Sequence, residues 1–383
     1  MRMIRSLTLC VAIPTLHPAS ATTIDITYNF VPAEAQASIG YAATIWEGIL
    51  VSPVPIKATV TWAPLGTAAL GITFPNGRRD FAGAPYPQTW YATALANSIG
   101  GTELNPGEND FEIFLSSSTD WYYGTDGVVP SGQYDLVSAA LHEMGHGLGF
   151  VGLAKKTGTQ GSFGLLQMSD FAPLVTSFPW PELDTIPGIF DRFLAHPQNG
   201  PLDLMDNPGD ALGSAMTSNQ LRFNGALAMA ANNGVAPRIY SPSSFALGSS
   251  CVHLNESSYP DSSPDELMTP FSSPGHAHHW PGPLCIAMLQ DIGWTLASPV
   301  GLDEPAEDRH ALTPWPDPAV DELFITSTSS GPHALLTIRD ATGREVLTPQ
   351  VNFPIDISSL APGHYLITAR SEGRTLFGRF IKR

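Results

Sequence analysis

At 383 residues the chain is too long for one ordinary compact domain, and 43% hydrophobic against 14% charged residues supply ample apolar surface for two or three. A formal net charge of −17 argues against nucleic acid as a partner, because phosphate contacts need clustered lysine and arginine. The 35 glycines and 35 prolines imply many turns and ordered loops between short elements.

Residues 1–21 have the three parts of a secretory signal peptide: Arg2 and Arg5, an apolar stretch from Leu7 to Leu16, and the small residues Ala19-Ser20-Ala21 before the cut. That stretch is too short to cross a bilayer and no later one is longer, so no transmembrane segment is expected. Cys10 leaves with the signal. Cys251 and Cys285 remain as an even pair in an oxidising compartment, which predicts a disulfide.

Thr23–Phe30 alternates as a strand, and Ala33–Leu50 carries Ile39, Ala42, Ile45 and Trp46 at helical spacing. Pro55–Ala63 and Asp110–Ser116 read as further strands, and Asp120–Gly127 as a turn-rich loop whose aromatics belong to the core or line a cleft. Tyr134–Leu148 is the strongest helix, with Val137, Leu141, Met144 and Leu148 on one face, and Gly147 and Gly149 near its end suit a left-handed stop. Residues 152–248 read as an inserted subdomain, helical over Thr217–Ala231. The acidic, proline-rich run from Asp303 to Pro318 marks an interdomain linker, placed at 301–313. Beyond it, five alternating segments separated by turns at Ala341-Thr342-Gly343 and Glu372-Gly373 predict an all-β sandwich over 314–383.

His142-Glu143-Met144-Gly145-His146 places two imidazoles one turn apart on one helix face, where both reach a single cation, and the spacing suits zinc. Tetrahedral zinc needs a third protein ligand and keeps its fourth position for water, whose pKa it lowers to about 7. Glu143, beside the first ligand, is placed to act as general base towards that water and afterwards as general acid. Glu256 and Asp265 are expected to be surface charges, either of which is open to a role as an acceptor that orients His253.

His142 to Gly149 fits His-Glu-x-x-His-x-x-Gly and so resembles the metzincins, whose next ligand would fall at position 152, occupied here by Gly152. The leishmanolysin branch inserts a long segment before its third histidine, and Gly248–Pro270 (GSSCVHLNESSYPDSSPDELMTP) with Leu284–Trp294 (LCIAMLQDIGW) is similar to the stretch that follows that insert. The resemblance implies an α+β zincin-like catalytic domain over 22–300, with a mixed twisted sheet and an active-site helix. It implies one catalytic Zn2+ on His142, His146 and His253, and Met268 as a turn methionine beneath the metal. The cluster His276, His278 and His279 is open to three readings, a solvated loop, a cleft wall or an alternative third ligand, of which the solvated loop is the first expectation.

The C-terminal stretch from Leu312 to Arg383, with Pro362-Gly363-His364-Tyr365 and a basic end, resembles the type IX secretion sorting domain. It implies an immunoglobulin-like sandwich that engages the type IX machinery and sends the protein to the cell surface or beyond it. The expected function is a secreted zinc endopeptidase acting on protein or peptide. An inert zincin-fold adhesin, or a zinc hydrolase of another bond, are the alternatives.

Overall fold

The computed structural model describes residues 22–66, 69–173, 184–297, 312–315, 318–327, 335–340, 344–349, 354–371 and 374–383. The expected signal peptide, linker residues 301–311 and the two turns at 341–343 and 372–373 lie outside the described residues. The chain is mixed α/β, with few helices and several small sheets, and divides into two compact units, Met1–Pro299 and Val300–Arg383.

The larger unit is built on a four-stranded sheet in the order Ile24–Asn29, Ile56–Ala63, Phe111–Ser116, Gly71–Pro75. The first three strands run parallel and the fourth is an antiparallel edge, in register Gly71 with Leu115 and Thr73 with Ile113. Period-two alternation buries Ile56, Ala58 and Val60 on one strand and Phe111, Ile113 and Leu115 on the next. Two helices cover that face. Ala33–Glu47 turns Ile39, Ala42 and Trp46 inward, and the Trp46 indole Nε1 donates to the Leu141 carbonyl of Leu136–Gly147 at 3.0 Å. The second helix reaches the sheet through Gly147, where a Cβ would stand 2.5 Å from the Phe111 ring.

The two glycines near the helix end therefore differ in role. Gly147 is the last helical residue and is required by close packing, whereas Gly149 takes the positive φ of 115° that turns the chain away. Trp294 Nε1 donates to the Leu148 carbonyl at 2.6 Å, and Thr295–Leu296 pairs antiparallel with Leu50–Val51, so the end of the unit returns to its beginning.

The segment 152–248 shares this core. Phe150, Phe190 and Phe223 pack as tilted rings at centroid spacings of 4.8 and 5.0 Å and join Leu194, Leu212 and Ile239 in the same apolar cluster. The helix expected over Thr217–Ala231 is corrected: helices cover Asp210–Met216 and Ala226–Ala231, with a strand at Arg222–Phe223 between them. Asn219 has a left-handed φ of 55°, which interrupts helical backbone, and Leu221 and Phe223 are buried at strand spacing.

The smaller unit holds two antiparallel sheets, Leu312–Trp315, Glu322–Ser327 and Ile355–Asp356 in one, and Glu345–Leu347, Leu335–Asp340, Gly363–Ser371 and Arg374–Lys382 in the other. Leu323, Ile338, Ile355, Ile367 and Phe380 belong to its core. Leu312 and Thr313 belong to a strand and not to the linker, because they pair with Ser327 and Thr326. No helix among the described residues is long and apolar enough to cross a membrane.

Candidate metal centre

The helix carrying the histidine pair begins two residues later than its periodicity predicts. Tyr134 and Asp135 are extended and pair in parallel with Trp121 and Tyr122, and Asp135 then caps the helix. Its Oδ2 accepts from the Ser138 backbone N–H and from Ser138 Oγ, both at 2.7 Å, satisfying donors that the first turn leaves free. Leu136, Val137, Ala140, Leu141 and Met144 enter the core, which turns His142, Glu143 and His146 into a cleft of about 550 Å³. Trp121 is core, with its Nε1 on the Ser116 carbonyl at 2.7 Å.

His253 arrives on a short segment stapled from both sides. Cys251 N–H donates to the Tyr240 carbonyl at 2.8 Å, Tyr240 N–H to the His253 carbonyl at 2.7 Å, and Leu254 N–H to the Met268 carbonyl at 2.8 Å. The structure thus brings together the three imidazoles: Nε2 of His146 lies 3.0 Å from that of His142 and 3.2 Å from that of His253, and His253 lies 3.3 Å from His142. They form the one group of three such donors that could share a metal ion among the described residues.

Each opposite ring nitrogen faces a backbone carbonyl: Nδ1 of His142 meets Leu267 at 2.6 Å, that of His146 meets Phe150 at 2.6 Å, and that of His253 meets Ser249 at 2.9 Å. A carbonyl only accepts, so each Nδ1 carries the proton and each Nε2 a lone pair. Three lone pairs aimed at one point repel unless a cation lies between them, and neutral imidazoles at this spacing fit Zn2+. Burial holds all three rings neutral. It lowers the pKa of His142 despite the Leu267 carbonyl, takes His253 down to about 3, and with the neighbouring rings drives His146 well below its ordinary value.

Glu143 is 6% exposed, and burial raises its carboxyl to about 7 against the opposing pull of its hydrogen bond from Thr73. Thr73 Oγ1 donates to Glu143 Oε2 at 2.6 Å. Met268 is fully buried under the helix, its Sδ 2.9 Å from where a Cβ on Gly145 would stand, so it packs beneath the triad.

In the cluster His276, His278 and His279 no ring joins the three Nε2 atoms, and the cleft-wall reading fits the first two better than the solvated loop. His276 and His278 line the cleft and bracket Glu266 Oε1, His278 Nδ1 at 3.1 Å, while His279 Nε2 meets Asp135 Oδ2 at 2.7 Å. Neither carboxylate considered for His253 reaches it: Asp265 Oδ1 accepts from Leu284 N–H at 2.8 Å, and Glu256 bonds Thr269. Position 152 is filled from outside, since a Cβ on Gly152 would stand 2.6 Å from the buried Asp191 Oδ1.

The expected disulfide is corrected: Cys251 and Cys285 are both free and buried. Cys251 has a left-handed φ of 71° and turns its Sγ towards the Met216 carbonyl at 4.0 Å, with Asp191 nearby, whereas Cys285 lies beside Asp265. Burial raises both thiols, so neither is a ready thiolate. Sequence reasoning missed Thr73, Asp135 and the three carbonyl acceptors. Only Asp135 had a local signal, an aspartate directly before an apolar helical run with Ser138 three residues on.

Residues 313–383 match a family model described as a secretion system C-terminal sorting domain. No curated protein matches the chain. The sorting domain indicates secretion through the type IX system, to the outer surface or the extracellular space.

Proposed function

We propose that the protein is a secreted zinc-dependent endopeptidase with a zincin catalytic domain of the metzincin kind, similar to the leishmanolysin branch in its distant third histidine. The observation that carries the reading is the meeting of three Nε2 lone pairs within 3.3 Å, each fixed by a carbonyl behind it, beside a buried carboxylate. The smaller unit is read as an immunoglobulin-like sandwich, supported by Tyr365, whose hydroxyl donates back to the Ala361 carbonyl at 2.7 Å at a strand entrance.

In this reading His142, His146 and His253 hold the metal. Zinc there supplies Lewis acidity, to a carbonyl oxygen and to a water. Glu143, with a carboxyl at about 7, takes a proton from the attacking water at Oε1 while Oε2 stays on Thr73. The water oxygen bonds to the carbonyl carbon, the C–N bond breaks, and Glu143 returns the proton to the leaving nitrogen.

A peptide suits this cleft because one wall is an open strand edge. Ser116 N–H bonds the Leu70 carbonyl and Asn76 N–H the Asp110 carbonyl, so by alternation the even positions spend their backbone groups on the sheet. Gly71 and Thr73 turn theirs outward. An extended polypeptide offers alternating donors and acceptors to such an edge, which an ester or a glycan does not.

The test is metal analysis of the mature secreted chain together with digestion of a mixed peptide library. The expected result is one zinc per chain and cleavage. Glu143→Gln should keep the zinc and lose about 10²- to 10⁴-fold in rate. One zinc with no hydrolysis, also after removal of the C-terminal unit, would make the protein an adhesin on a zincin frame.

A further inference from the structure

Gly71 and Thr73 lie on the edge strand at alternate positions, so their side-chain directions are the same, and that direction is towards the active-site helix. A Cβ on Gly71 would stand 2.6 Å from Glu143 Oε1 and 2.7 Å from its Cδ. The Glu143 carboxyl therefore lies flat along bare backbone that only glycine leaves open. Two positions on, Thr73 Oγ1 reaches Oε2 at 2.6 Å and is the one hydrogen-bond donor to Glu143 among the described residues.

We infer that Thr73 is a positioning residue with two simultaneous tasks: its hydroxyl sets the rotamer of Glu143, and its outward N–H and C=O receive the substrate strand. The inference rests on the endopeptidase reading and deepens it. A peptide that pairs with the edge at Thr73 fixes the backbone from which the hydroxyl extends, so docking and alignment of the base occur through one residue. A β-branched side chain suits the role, because two heavy atoms on Cβ restrict the hydroxyl to few directions. The bond engages Oε2 and leaves Oε1, on the Gly71 side, without a hydrogen-bond donor among the described residues.

The experiment compares wild type, Thr73→Val and Thr73→Ser as full mature chains. Thr73→Val keeps the shape and removes the donor, and should lower kcat about 10- to 100-fold while KM changes less than about threefold. Thr73→Ser should return kcat to within about threefold of wild type. A purely structural role would not be rescued by serine or confined to kcat. Thr73→Val with wild-type kcat, or a loss that serine leaves unrepaired, overturns the inference.

A second readout uses no substrate and no metal: crystal structures of the metal-free wild type and Thr73→Val. Glu143 should leave the face of Gly71 in the variant, and an unmoved carboxylate overturns the inference even if activity falls. A wild type that cleaves nothing removes the endopeptidase reading, while the crystals still decide what holds Glu143.

Discussion

Stripping zinc from the mature chain and returning it tests the triad through stability, with no substrate needed. The three Nε2 atoms stand 3.0 to 3.3 Å apart, each ring held in place by its carbonyl, so the site is preorganised for an ion. A ligand that binds only the folded state stabilises it by about 2.7 kcal/mol at a hundred times its Kd. The unit Met1–Pro299 approaches three hundred residues, for which about 2.1 cal/mol/K per residue gives an unfolding entropy near 0.6 kcal/mol/K. Zinc at that excess should raise Tm by about 4 to 5 °C in a calorimetric scan. His253→Ala should abolish most of the rise. If that variant gains as much as wild type, or wild type gains nothing, the three rings do not share an ion.

The same scan has a pH arm whose sign follows from burial. The folded-state pKa of His253 is lowered to about 3, and those of His142 and His146 are lowered too, so the unfolded chain takes up protons first as pH falls below about 6.5. The stability these neutral rings contribute is present above that value and is lost as pH falls towards about 3. Because the folded rings resist protonation, the zinc-dependent rise in Tm should fall away only at a pH below the ordinary histidine value, and its disappearance at that value would contradict the burial argument.

Two other expectations concern neighbouring residues. Gly152→Ala forces a Cβ to within 2.6 Å of Asp191 Oδ1, whose partner oxygen accepts from Leu153 and Gly188 N–H at 2.9 and 2.8 Å. Overpacking of this kind costs about 1 to 3 kcal/mol, so Tm should fall by about 2 to 5 °C with zinc content unchanged, and a wild-type Tm would show that the site yields freely. Both mature cysteines should be unreactive to a thiol reagent in the native protein, and two thiols should titrate after denaturation without reductant. None titrating would restore the bridge that the free, separately buried thiols argue against.

What the chain declares locally, it declares clearly. Four-residue spacing puts His142 and His146 on one helix face whatever surrounds them, and alternation in 322–381 announces strands, because both periodicities belong to the backbone. The sorting domain was legible for the same reason, its pattern being short-range and its match covering 313–383. Even so, local reasoning overran the helix at Tyr134, where a two-residue strand pairing outweighed helical periodicity.

The rest depended on chain paths that no window of residues contains. His253 meets His146 across 107 positions only because its segment is pinned between Tyr240 and the Met268 turn. Cys251 and Cys285 share a compartment and an even count, yet their side chains face different neighbours, and a disulfide needs direction as well as proximity. For His276, His278 and His279 the sequence left a solvated loop, a cleft wall and a ligand set open, and only packing put Glu266 and Asp135 opposite them. Thr73 gave no signal at all. Sequence determines which groups a helical turn or a strand presents; which distant groups they meet is decided by the packing of one element on another.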